Sequence, residues 1–234
     1  MKIIGILFVI SIFLISFLLP VTGLTQHQDK DTTKTMKLKI IAYSDNICPF
    51  CYVGAKRINK LKQEIDFDIE WKAFEIHPET PKEGIPLEDY FKNFKITAAK
   101  KYMERFGKDV EIKMNTKVLS NSRLSLKANE FAKDQNKLTG FHEAIFVAYF
   151  EDGKDIGNID VILEVAESVG LDKDELKAYL QTDESDKIIQ ESSNQAMEYG
   201  ITGVPTFIIG DKMMVGAQSY KALKKAVLKA QSEM

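Results

Sequence analysis

The sequence predicts an α/β fold whose strands come from both ends of the chain, with an all-helical subdomain inserted between them. Three observations point to it. Residues 38–74 read as strand, helix, strand. Residues 87–199 carry helical signals almost throughout. The residues after Gly200 read as a β-hairpin followed by one helix.

In chain order, the first 23 residues stand apart. Ile3 to Leu19 is uncharged and mostly apolar behind a single Lys2, the pattern of a targeting segment rather than of a folded element. Val21-Thr22-Gly23 puts small residues where a signal peptidase cuts, after Gly23. Residues 1–23 are expected to be a signal peptide or a retained N-terminal membrane anchor, and residues 24–36 a polar tether. Either outcome places the remainder outside the cytoplasm. No cysteine lies near the cut, so a lipid anchor there is unsupported.

Residues 37–86 form the first part of the α/β domain. Leu38–Tyr43 is apolar enough for a buried strand. Pro49 suits the first position of a helix, where its missing N–H removes no bond. That helix turns Val53, Ile58, Leu61 and Ile65 inward and Lys56, Lys60, Lys62 and Glu64 toward water. Phe67–Phe74 alternates strictly and reads as a second strand, so the two strands are expected to be parallel through a right-handed crossover. Pro78, Pro81, Gly84 and Pro86 then break the chain. In the insertion, residues 87–199, Leu124, Ala128, Phe131 and Ala132 share one helical face, as do Ile145, Ala148 and Tyr149. Asn158 reads as an N-cap, and Asp172 with Glu175 as a capping-box-like start. Residues 200–234 close the domain: Thr206–Ile209, the turn Gly210-Asp211-Lys212, Met213–Val215, and a helix capped by Ser219 with Ala222, Leu223, Ala226, Val227 and Ala230 on one face.

Two cysteines occur in 234 residues, and they stand as Cys48-Pro49-Phe50-Cys51 at a strand-to-helix turn. A thiol there faces the unpaired N–H groups and positive dipole end of the helix, which favour its thiolate, the nucleophile of disulfide chemistry. A bridge three residues long closes almost no loop and is a poor staple, so the pair reads as chemistry. Half of a metal site is the alternative. Zinc would need two further ligands, and the histidines are His27, His77 and His142, the first of them in the tether. The formal net charge of −2, with no basic patch or aromatic-interleaved Lys/Arg run, excludes nucleic acid as the expected partner. No cofactor is called for, no dimerisation segment is visible, and a monomer is the default. Trp71 and the phenylalanines of the helices read as core, and Glu75 as a solvated carboxylate.

Cys48-Pro49-Phe50-Cys51, together with Gly203-Val204-Pro205-Thr206 before a late strand, resembles the thioredoxin superfamily. The helical insertion narrows the resemblance to its DsbA family. Ser44-Asp45-Asn46-Ile47 before the cysteines, Tyr52-Val53-Gly54 after them, Ala148–Gly157 and Val215-Gly216-Ala217-Gln218 resemble the FrnE-like branch. The resemblance spans about Lys37 to Ala230 and implies a thioredoxin-like fold. It implies that Cys48 is the partly exposed attacking thiolate and Cys51 the shielded resolving thiol of a redox-active disulfide, and that Pro205 is cis and faces them. Val204 would offer its backbone to an extended substrate by strand addition, with Pro49 and Phe50 beside it. The implied activity is extracytoplasmic thiol–disulfide exchange, through a mixed disulfide, with the cysteines of exported proteins. The implied redox partner is a DsbB-like membrane oxidase or a membrane reductant.

The chain also departs from the family. The buried acid that thioredoxin and DsbA carry six residues before the first cysteine is Ala42 here, so another group or water must handle the proton. Pro-Phe between the cysteines lacks the histidine of DsbA, so Cys48 is expected to be lowered from the unperturbed value of about 8.5, but less extremely than to the roughly 3.5 of DsbA. Asn121-Ser122 is followed by Ser125-Leu126, without the Ala-His pair common in the branch. Glutathione-dependent isomerases and transferases of the hydroxychromene-carboxylate isomerase and kappa type share fold and insertion, and form the competing reading. They usually carry Ser at the Cys48 position and lack the second cysteine. A copper- or thiol-binding module is the non-enzymatic reading, weakened by the missing ligands.

Overall fold

Strand β1 (Lys39–Ser44) leads into helix α1 (Pro49–Lys62) and strand β2 (Asp68–Ala73). This is a computed structural model, and it describes residues 37–92 and 95–234. The targeting segment and tether expected over residues 1–36 lie outside the described residues. β1 and β2 run parallel with Ala42 opposite Trp71, as a strand–helix–strand crossover requires. On its other side β1 pairs antiparallel with β5 (Thr206–Ile209), which turns through Gly210 into β6 (Lys212–Val215). The four-stranded order is β2-β1-β5-β6. β1 is therefore central, and Ile40, Ala42 and Tyr43 are fully buried.

The last helix, α9 (Tyr220–Ser232), packs against α1 and β5. Ser219 caps it by accepting the Ala222 N–H at 3.2 Å. α8 (Asp183–Glu198) packs against β2, and its Gln195 accepts a hydrogen bond from the Tyr43 hydroxyl at 3.2 Å. Between β2 and α8 run a short helix α2 (Leu87–Tyr90), then α3 (Ile96–Phe106), α4 (Arg123–Asp134), α5 (Leu138–Phe146), α6 (Ile159–Ser168) and α7 (Lys173–Tyr179). Asn158 and Asp172 cap α6 and α7 through their side chains, the latter by accepting from Asp174 and Glu175 N–H. One apolar cluster runs from Ile40, Ala42 and Phe207 of the sheet to Phe141, Ile145, Ile162 and Leu176 of the insertion. Full burial of each large side chain of this kind contributes about 1.5–3 kcal/mol.

Two features depart from a purely helical insertion. Ile85–Pro86 and Val118–Leu119 form a short antiparallel ribbon, β3 and β4. Two-residue strands leave no periodicity to read, and a proline within one argues against strand. Val147–Glu151 continues α5 as a π-helical turn. The wider turn frees carbonyls, and residues 115–116 take them: Asn115 N–H donates to Phe150 O at 2.6 Å, and the Thr116 hydroxyl donates to Tyr149 O at 2.9 Å. This turn carries Tyr149 and Phe150 to the side of the cysteine pair. Phe150 stacks on Tyr52 of α1 at 5.1 Å.

Candidate active site

β1 ends at Ser44, and four residues later Cys48 occupies the N-cap of α1 with extended backbone angles (φ −82°, ψ 116°). Its N–H donates to Asp45 O at 3.1 Å, closing the turn, and no acidic residue lies in the first turn of α1 to oppose a thiolate. The Cys48 thiol donates to the Val204 carbonyl at 3.7 Å. Cys51, one turn on, has no exposed surface, and Cys48 keeps 5%. Both are free thiols here. Cys48 is thus less open than expected, because it is wedged between the first turn of α1 and the chain at Val204. Burial and the adjacent Cys48 sulfur push the Cys51 thiol well above its ordinary range, against the opposing pull of the Asp45 backbone and the Ser44 hydroxyl. The direction favours the protonated form of Cys51.

The Val204–Pro205 peptide bond is cis. Val204 lies two residues beyond the β1–β5 ladder, whose last pair is Tyr43 with Thr206. Pro205 O accepts from Gly216 N–H at 2.7 Å, and the Thr206 hydroxyl donates to Gly203 O at 2.7 Å. Gly54 lets α1 approach this segment. A methyl group there would sit 3.0 Å from Phe207 Cζ and 3.3 Å from Pro205 Cγ. Gly54→Ala is expected to destabilise by about 1–2 kcal/mol through overpacking, against the roughly 1 kcal/mol that Ala otherwise gains within a helix. Urea unfolding checks this, since a raised midpoint would mean the Phe207 ring yields without loss.

Arg57 anchors the opposite flank. From within α1 it donates bidentately to Asp109 at 2.9 and 2.6 Å and to the carbonyls of Phe106, Ala217 and Gln218. The Gly216-Ala217-Gln218 turn is thus held by α1. Phe50 is 37% exposed and meets Phe106 edge-on at 5.5 Å. Pro49 and Ile47 line a cavity of about 190 Å³ closed by Ile76, His77, α3 and the π-helical turn.

Beneath the cysteines lies a buried polar network. Asp45 is fully buried. Its carboxylate accepts from Ile47 N–H at 3.2 Å, Ile76 N–H at 2.8 Å and the Ser122 hydroxyl at 3.1 Å. Burial pushes its carboxyl up from 3.8 to about 6 against these donors, which favour the charged form, and the Glu75 charge adds to the rise. Asn46 Nδ2 donates to Ser125 Oγ at 3.0 Å, and Asn129 Nδ2 donates to Asn46 Oδ1 at 3.1 Å. In the sequence, Asp45 and Asn46 stand out only as part of a motif and carry no role of their own. The signal was an Asp-Asn pair beside a reactive cysteine with no cation in the run. Ser125 stands where the branch pattern has Ala-His, and it serves Asn46.

Glu75 corrects the sequence expectation. Its side chain is 6% exposed rather than solvated, because Arg123 of α4 reaches over it at 2.7 Å. Trp71 is core, 4.3 Å from His142, whose pKa burial pushes down to about 3. His77 pairs with Glu79 at 3.0 Å. Among the described residues no group of three or more His, Cys, Asp or Glu converges as metal ligands would, and no helix is long and apolar enough to cross a membrane.

The model of the DSBA-like thioredoxin domain matches residues 39–228. The uncharacterized protein YwbO of Bacillus subtilis (strain 168) is 32% identical over 198 residues, covering 82% of this chain and 96% of that protein. A 2-hydroxychromene-2-carboxylate isomerase of Pseudomonas sp. (strain C18) is 24% identical over 190 residues, covering 79% and 88%. Among solved structures, a probable DsbA oxidoreductase from Streptomyces coelicolor superposes with a TM-score of 0.74 at 20% identity, covering 84% of this chain and 91% of that one, a likeness of fold.

Proposed function

The chain belongs to the DsbA-like thioredoxin-domain family and is a thiol–disulfide oxidoreductase, and from that premise we propose that it works outside the cytoplasm on the cysteines of exported proteins. The observation that carries the site assignment is Cys48 at the N-terminus of α1, 3.7 Å from the Val204 carbonyl, with Cys51 buried one turn behind it. A substrate thiolate attacks Cys48 Sγ of the oxidised pair. The Cys48–Cys51 bond breaks, a mixed disulfide forms, and Cys51 leaves as thiolate and takes a proton. A second substrate thiolate then attacks the substrate sulfur and releases Cys48. The substrate loses two electrons and the pair gains them. The backbone at Val204, two residues beyond the ladder and with its carbonyl on the Cys48 thiol, is the edge that an added strand would pair with, and the exposed ring of Phe50 would offer it an apolar contact. A DsbB-like membrane oxidase would recharge a disulfide donor, and a membrane reductant would keep an isomerase reduced.

The extracytoplasmic placement rests on Ile3–Leu19 and its small-residue cut site. Fractionation of the native producer is expected to recover the protein outside the cytosol, in the membrane or in the medium. Recovery from the cytosol alone would contradict it. Two features favour protein thiols over a glutathione-dependent isomerisation. Both cysteines are present, and the cavity beside Pro49, about 190 Å³, is smaller than the roughly 300–1,000 Å³ of small-molecule sites. The protein is expected to exchange disulfides with a reduced, unfolded protein and to leave 2-hydroxychromene-2-carboxylate unchanged with glutathione present. The opposite pair of results would reverse the assignment.

A further inference from the structure

Asp45 has no counterpart in the roles assigned so far, yet its carboxylate joins three separate segments. Ile47 N–H belongs to the turn that carries Cys48, Ile76 N–H to the chain leaving β2, and the Ser122 hydroxyl to the entry of α4 in the insertion. Its own carbonyl takes the Cys48 N–H. Among the described residues no cation answers its charge. Arg123, at the start of α4, is committed to Glu75 and Asp186. A buried carboxylate without a counter-ion weighs against stability, and such groups concentrate where function needs them.

We propose that Asp45 is a positioning residue for Cys48: its carboxylate, through Ile47, Ile76 and Ser122, holds the cysteine turn against the insertion, and its protonation loosens that hold. The reason is in the donor inventory. Two of the three partners are backbone N–H groups that cannot become acceptors. Only the Ser122 hydroxyl can turn from donating to accepting. A protonated Asp45 therefore keeps the two N–H bonds only in their weaker, neutral form. The titratable groups facing it are Glu75 from the exit of β2 and Tyr149 from the π-helical turn, and the cysteines of its own turn meet its backbone. Tyr149 also senses Asp155, which the Ser120 hydroxyl holds.

This inference rests on Cys48 being the reactive thiol, and the test separates the two. The rate of Cys48 alkylation by iodoacetamide is measured from pH 5 to pH 8, with the modified residue identified by mass mapping. Each rate is divided by the thiolate fraction read from absorbance. In the native protein the rate per thiolate is expected to fall about tenfold on acidification through pH 6, the difference between a charge-assisted and a neutral hydrogen bond. In Asp45→Asn the rate per thiolate should be low and flat with pH. In Ser122→Ala, which removes one donor to the carboxylate, the fall should move to higher pH. That second variant carries the test if Asp45→Asn does not fold. A native rate per thiolate that is flat, or a fall that persists in Asp45→Asn or is unmoved in Ser122→Ala, overturns the proposal. Alkylation found at Cys51 instead of Cys48 defeats the underlying site assignment.

Discussion

Cys48→Ser is expected to abolish disulfide exchange, while Cys51→Ser keeps the first half of the reaction and stalls in the second. The asymmetry follows from burial. Cys48 has the 5% of exposed surface that the pair possesses and lies at the helix N-terminus, and Cys51 is sealed behind it with its thiol held protonated. An incoming disulfide can reach Cys48 alone. With Cys51 removed, nothing resolves the mixed disulfide from within, so Cys51→Ser should accumulate covalent complexes with its partners. These would be visible on non-reducing gels and would vanish with reductant. Complexes in Cys48→Ser and none in Cys51→Ser would reverse the roles.

Replacing Asp45 by Asn should change how stability responds to pH by about 3 kcal/mol. The Asp45 carboxyl is raised from 3.8 unfolded to about 6 folded, and each tenfold rise in proton affinity corresponds to about 1.4 kcal/mol. A raised carboxyl favours the protonated form in the fold. Its contribution is thus fully present below about pH 4 and is lost as pH rises through about 6. Asn cannot ionise, so Asp45→Asn gains on the native protein over that interval, whatever constant penalty the amide incurs opposite the Ile76 N–H. Urea unfolding of both proteins from about pH 3.5 to about pH 7.5 should show the difference moving in favour of Asp45→Asn across that window. A constant difference, or one moving against the variant, would mean that the carboxyl is not raised.

Much of this was legible in the sequence. Local chemistry marks β1, α1 and β2: apolar runs, a proline at the first helical position, and strict alternation around Trp71. Asn158, Asp172 and Ser219 announce their helices because capping is a short-range bond. The block Gly203-Val204-Pro205-Thr206 led to the segment that meets Cys48. What the sequence hid depends on distant residues. The π-helical turn at Val147–Glu151 exists because Asn115 and Thr116, distant in the chain, donate to its displaced carbonyls. Asp45 looks like a polar turn residue until Ile76 and Ser122 close over it, and Glu75 looks solvated until Arg123 arrives from α4. Ala42, at the position of the family's buried acid, sits in register between Trp71 and Phe207, a packed apolar site that has no room for charge. The carboxyl nearest the pair in the chain is instead three residues before Cys48.

The redox equilibrium of the Cys48–Cys51 pair against glutathione buffers, read by thiol alkylation and mass shift, tests the central claim most directly. A single reversible two-electron transition is predicted, lost in either cysteine variant. A potential of about −120 to −180 mV would make the protein a disulfide donor, and one of about −270 mV a reductant or isomerase. The absence of any reversible two-electron transition would contradict thiol–disulfide exchange as the work of this site.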